Sequence, residues 1–320
     1  MMSLSKLLPH EMHRLPQGNL VRWVEMHSDD LATMTFHHAA QHAMNLGRRQ
    51  EMTPMGELAP DDAGILPDFW ILHTARCGST LVAQMLGADS RNWVLSEPTM
   101  TGQIIRYNRT SAESRDRQLR WTMNAGAPPE ESSRRYVVKA DWTGLLCPEL
   151  FVYYQDRPGL IVYREPLEQL VSLLRKPSDW MQHPEGRQLF NDILEEEAPA
   201  ISESTEWMAW LIGVTMKNAA ELAGQRLRPL NYSEIPQGVV NELEIAINES
   251  IPASLRERMM EIAKVDIKSR SAKNPFRADT AEKQAAITPR MKQAVDRYAR
   301  PWFEKLESIR LGLRADQAAS

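Results

Sequence analysis

The chain has 320 residues, 42% hydrophobic and 25% charged, with a net charge of −4. That length supports one large α/β domain or two small ones around a real apolar core. The mild acidic balance excludes a global basic field of the kind that binds nucleic acid. The two cysteines, Cys77 and Cys147, exclude a disulfide framework or a zinc ribbon and suit a reducing cytoplasm.

Residues 1 to about 60 read as helical, because Leu20-Val21-Arg22-Trp23-Val24 and Leu31 through Met44 place apolar residues at helical spacing. Residues 1–9 hold no apolar run of signal-peptide length. Prolines and glycines at Pro54, Gly56, Pro60, Gly64 and Pro67 then mark a linker. Beyond it, Phe69-Trp70-Ile71-Leu72-His73 is a short buried strand. It runs into a small-residue loop and then an apolar-periodic helix from Leu81 to Leu86. Further strands are predicted at Trp93–Leu95, Tyr136–Lys139, Leu160–Tyr163 and Leu227–Tyr232. Helices are predicted over Glu165–Lys176 and Glu203–Ala223, with one long mixed-charge helix over 290–313. No apolar stretch is long enough to span a bilayer.

Strands alternating with helices imply an α/β fold. The expected architecture is a three-layer sandwich with a central, mainly parallel sheet, P-loop-like, and helices on both faces. That domain covers 67–315, behind a helical extension over 1–60. Ligands of such sheets sit at the carboxyl ends of the strands. Three residue sets fall there: 74–80, 139–141 and 164.

The loop after the first of these strands holds Arg76, Cys77, Gly78, Ser79 and Thr80. Backbone N–H groups at a helix N-terminus are unpaired and attract an anion. Gly78 permits close approach, Ser79 and Thr80 add hydroxyl donors, and Arg76 adds a cationic fork. Read against the triphosphate loop, the sequence fails twice. His73 stands where the first glycine belongs, and Ser79 where the lysine belongs. That loss argues against ATP or GTP chemistry. An ordinary strand-to-helix turn is the plain alternative for the loop taken alone.

With Ala75 ahead of it, the run Arg76-Cys77-Gly78-Ser79-Thr80 resembles the 5'-phosphosulfate loop of sulfotransferases that use 3'-phosphoadenylyl sulfate (PAPS). Alanine replaces the family's usual proline, which bears on loop stiffness. The family's second motif, for the 3' phosphate, is a strand ending in arginine followed by a helix carrying serine. Leu160–Arg164 and Ser172, two turns further on, match it. Pro166 starts that helix well. The resemblance also implies a role near adenine for Tyr232, although Ser233 splits the family's Tyr-Glu pair. It further implies a basic loop over the donor phosphates, carried here by Lys268, Arg270 and Lys273.

Sulfuryl transfer needs a base for the acceptor hydroxyl, in-line positioning, and cations for the leaving phosphate. Arg76 and Lys139 are the candidate cations. Glu97 and Asp141 are the candidate bases, with Glu97 preferred by resemblance to the tyrosylprotein and carbohydrate branches. Each has a bland alternative: Glu97 as a helix cap, Asp141 as partner of Lys139 or an arginine. No metal is expected, since His37 and His38 belong to no HExxH pattern. The co-substrate implied is PAPS, and the acceptor a small molecule or carbohydrate. Residues 100–130 and 176–210 are the expected pocket walls. The second stretch carries Trp180, Trp207 and Trp210, whose rings would serve equally as core. The first sixty residues are candidates to cover the site or to pair two copies. Two rival readings share the fold: a P-loop nucleotide kinase or NTPase, and a non-catalytic nucleotide-binding protein.

Overall fold

In the computed structural model, the first residues form strands where the sequence suggested helix. β1 (Ser5–Leu15) pairs antiparallel with β2 (Gly18–His27), and β2 pairs with β3 (Gln50–Pro54). Leu20–Val24 therefore lies in a strand. Its five residues fit a period of two as readily as 3.6, and the branched Val21 and Val24 favour the pleated form once partners arrive. Those partners, Met12 and Leu8 of β1, are invisible to a local window. The span Leu31–Met44 is helical, as two pieces: α1 (Ser28–Thr33) and α2 (Phe36–Asn45). The structure describes residues 4–16, 18–55, 65–107, 111–147, 153, 155–191, 194, 198–199, 203–264 and 280–319.

The second sheet has five strands. They are β4 (Phe69–His73), β5 (Asn92–Ser96), β6 (Arg135–Lys139), β7 (Gly159–Tyr163) and β8 (Leu227–Asn231). Their order is β5-β6-β4-β7-β8, so the strand leading into the loop is central. The pairs β4–β6, β5–β6 and β7–β8 are parallel. The sheet is α/β in character, flanked by helices, as expected. Every residue of β4, β5, β7 and β8 is buried, which explains the apolar runs Phe69–Leu72 and Leu160–Val162, while β8 buries Arg228 against Glu242. Pro229 is tolerated because β8 is an edge strand of this sheet.

The described helices that follow are α3 (Ser79–Gly87), α4 (Thr99–Tyr107), α5 (Ala112–Gly126), α6 (Pro166–Arg175), α7 (Asp179–Gln182) and α8 (Pro184–Asn191). After them come α9 (Ser204–Leu222), α10 (Gln237–Ile247), α11 (Ala253–Ile262), α12 (Thr280–Ala285), α13 (Pro289–Tyr298) and α14 (Arg300–Ala319). The single helix expected over 290–313 is thus two. Pro301 has no N–H to bond the carbonyl four residues back, so the first helix ends at its cap Ala299 and the second starts with Pro301 in its first turn.

The chain divides into two compact units. One holds Met1–Ile71, Thr80–Gly144 and Pro252–Ile262; the other holds Leu72–Ser79, Leu145–Ile251 and Ala263–Ser320. In the first, Trp23 meets Trp121 edge-on, with ring centroids 5.6 Å apart. Gln103 caps the rim of β1 by accepting from the Met12 amide at 2.7 Å. In the second, α9 is buried along most of its length and carries Trp207 and Trp210 into the core. Those two rings, at 0% and 5% exposure, pack in the interior of this unit. No described helix is long and apolar enough to cross a membrane.

Candidate functional site

The second unit contains the loop and its arginine. β4 ends at His73, and the Thr74 amide donates to Val162 of β7 at 3.0 Å, which fixes where the loop starts. Arg76 and Gly78 both take positive φ, 60° and 85°. This fold-back carries the chain into α3, whose first residue, Ser79, is buried. An arginine in the left-handed region is uncommon and marks a loop held by its surroundings. Gly78 has a second reason to be glycine: a Cβ there would lie 2.8 Å from the Tyr232 ring. The Arg76 guanidinium donates to the carbonyl of Lys176, which caps the C-terminus of α6. Ser172 lies one turn earlier in that helix.

Arg164 follows β7 and is 4% exposed. Its Nε donates to Glu168 Oε2 at 2.6 Å, and its guanidinium lies 3.9 Å from the centroid of the Tyr232 ring. Glu168 also accepts from Gln284 of α12 at 3.2 Å. A buried arginine needs such partners, because an unpaired charge in the interior is costly. Tyr232 therefore touches both the loop, at Gly78, and the arginine. The structure joins Gly78, Tyr232 and Arg164 into one contact set, and it brings Arg76 to the helix that bears Ser172. α6 begins with Pro166 and is capped by Glu165, whose carboxylate accepts from the Glu168 amide at 3.1 Å. Lys268 and Arg270 lie outside the described residues, as does Lys273.

The first unit contains the candidate base. Glu97 follows β5 with φ of 60°, and its amide donates to the Lys139 carbonyl at 2.8 Å. Its carboxylate accepts from Lys139 Nζ. Lys139 is fully buried at the end of β6, while the Glu97 side chain is 32% exposed. The carboxylate compensates a buried ammonium and still reaches solvent. Asp141 is differently employed. Its Oδ1 accepts from the Thr143 amide at 2.9 Å and the Thr143 hydroxyl at 2.6 Å, which caps the short 3-10 turn Trp142–Leu146. Lys139 thus pairs with Glu97, and Asp141 with the turn that follows it. Thr80 is the second residue of α3 and is partly exposed.

Sequence reading passed over Glu168, although its spacing from Arg164 is the ordinary (i, i+4) ion-pair signal. Among the described residues, no group of three or more His, Cys, Asp or Glu side chains is arranged to hold a metal ion.

No family model and no curated protein matches the chain. Among solved structures it is similar to the sulfotransferase domain from the curacin biosynthetic pathway. That match has TM-score 0.45 and 15% identity, covering 73% of this chain and 98% of that one. It is also similar to the sulfotransferase domain from the Synechococcus PCC 7002 olefin synthase, with TM-score 0.45 and 12% identity over 79% of this chain and 98% of that one. A third match is sulfotransferase STF9 from Mycobacterium avium, with TM-score 0.43 and 11% identity over 84% of this chain and 82% of that one.

Proposed function

We propose that the protein is a PAPS-dependent sulfotransferase. The observation that carries this reading is the contact set of Gly78, Tyr232 and Arg164 in one unit. A cationic loop at a helix N-terminus and a stacked, buried arginine supply two anion positions, which suits a donor phosphorylated at both ends. Bound at these residues, PAPS supplies the activated sulfuryl group.

The chain's own residues divide the remaining work. Arg76, Cys77, Gly78, Ser79 and Thr80 hold the 5' end through backbone N–H groups, hydroxyls and one guanidinium. Arg164 and Ser172 hold the 3' phosphate, with the Tyr232 ring lying against the guanidinium and fixing its position. Glu97 takes the proton from the acceptor hydroxyl. Lys139 holds the Glu97 carboxylate in place by charge and hydrogen bond. The acceptor is a small molecule or carbohydrate.

Thermal shift tests the reading, because a ligand bound only by the folded state raises Tm. Adenosine 3',5'-bisphosphate without magnesium is expected to raise Tm by several degrees, and ATP with magnesium to leave it unchanged. The reverse pattern sinks the proposal in favour of a nucleotide kinase. A Tm rise with the bisphosphate but no sulfated product across an acceptor panel would favour a non-catalytic binder.

A further inference from the structure

The donor reading leaves open what holds Arg164 and Tyr232 in register, and the inference here rests on that reading. Both residues stand directly beyond strand ends, Arg164 after Tyr163 of β7 and Tyr232 after Asn231 of β8. Both preceding residues are bound by one carboxylate. Glu307, on α14, accepts at Oε1 from the Tyr163 hydroxyl and from Asn231 Nδ2, the latter at 2.8 Å. Asn231 has a second task. Its Oδ1 accepts from the Ser233 amide at 3.0 Å and the Ser233 hydroxyl at 2.9 Å, which shapes the turn that presents Tyr232.

Glu307 is fixed in turn. Arg310 donates to it through Nη2 at 2.6 Å and through Nε at 3.3 Å. Arg310 and Arg314 also close on Glu234, two residues beyond Tyr232, with contacts of 2.6 and 2.9 Å. Arg314 continues to Glu242 at 3.0 Å, and Glu242 binds the buried Arg228 at 2.5 Å. Burial works against the charged form of Glu307. The hydrogen bonds from Arg310, Tyr163 and Asn231 prevail and hold its carboxyl below the usual carboxylate range.

We infer that Glu307 is a positioning residue of the donor site, fixing Arg164 and Tyr232 through Tyr163 and Asn231. A salt bridge that served only to dock α14 would need the arginines alone. Two of the carboxylate's partners are instead the residues that flank the site.

The test compares Glu307→Gln and Tyr163→Phe with Leu306→Ala, which loosens the same helix from a fully buried position without touching the network. Two quantities are read well below every Tm. One is the calorimetric Kd for adenosine 3',5'-bisphosphate. The other is the NMR signal of the Arg164 Nε–H in ligand-free protein, which the Tyr232 ring current displaces. Glu307→Gln is expected to raise Kd about tenfold, the loss of one well-placed charged hydrogen bond, and to move the Arg164 signal. Tyr163→Phe is expected to do both to a smaller degree, and it carries the test if Glu307→Gln does not fold. Leu306→Ala is expected to lower Tm while leaving Kd and the signal in place. Wild-type Kd and an unmoved signal in Glu307→Gln overturn the inference, as does an equal loss of affinity in Leu306→Ala. If the wild type fails to bind the bisphosphate, the donor reading falls instead, and the Arg164 signal alone decides what Glu307 does.

Discussion

Glu97 and Arg76 share an uncommon backbone state, φ of 60° in a residue with a side chain. Each such position costs about 1 kcal/mol or more and persists where neighbours over-determine it. At Glu97 the neighbour is Lys139, bound through its carbonyl and its ammonium. Replacing Glu97 with Gln is expected to cut kcat by about 10²–10⁴-fold while the bisphosphate still binds. Asp141→Asn is expected to lower Tm slightly, by weakening the cap on Trp142–Leu146, and to leave turnover near wild type. Steady-state kinetics on both variants checks this. Loss of turnover in Asp141→Asn with activity kept in Glu97→Gln would reverse the assignment. Gly78→Ala pushes a methyl group into the Tyr232 ring from a backbone of φ 85°, so the bisphosphate should no longer raise its Tm. His10 offers a prediction about pH. Burial first, together with the neighbouring His37, Arg22 and His13, lowers its pKa from 6.5 to about 4 against the pull of Glu11. The unfolded chain then binds the extra proton between those values, so stability is complete above pH 6.5 and declines toward pH 4. The contribution is about 1–2 kcal/mol after allowance for solvent screening. Urea midpoints across that window should fall less in His10→Gln.

At the scale of elements, legibility followed the range of the contacts. β4, β5 and β7 stood out through their central apolar runs, because burial on both sides leaves little polar alternation in them. The loop and the strand-end arginine stood out because their residue types and spacing match a known family pattern, Arg76 and Arg164 above all. β1 and β2 did not, since an antiparallel ladder is decided by a partner strand. The α13–α14 break was written at Pro301 but passed over inside a mixed-charge helical pattern. Close approach of helices was also hidden. A Cβ at Gly213 of α9 would meet the Tyr298 carbonyl oxygen at 2.2 Å. Gly213→Ala is therefore expected to cost about 3 kcal/mol, because backbone rather than a flexible side chain stands in the way. A drop in the urea midpoint with an unchanged slope would confirm it.

For the molecule as a whole, the buried charges carry the sharpest lesson. Arg164, Arg228 and Lys139 are each nearly or fully buried and each meets a carboxylate: Glu168, Glu242 and Glu97. Replacing one partner of such a pair costs about 3–5 kcal/mol, so Arg228→Met should lower Tm far more than any exposed ion-pair change. Differential scanning fluorimetry of Arg228→Met beside Arg117→Met, an exposed helix pair with Glu113, tests the contrast. Nothing in local sequence links Tyr163 with Glu307, because the partners lie far apart along the chain and only the folded unit joins them. That separation has a consequence for synthesis. β7 and β8 leave the ribosome well before α14, so Tyr163, Asn231 and Glu234 first meet water in place of their later partners. A nascent chain halted before residue 300 would own every residue proposed to hold the nucleotide and still lack Glu307, the partner of Tyr163 and Asn231. On the proposed function, donor binding would then be acquired late, after most of the unit's core strands are made.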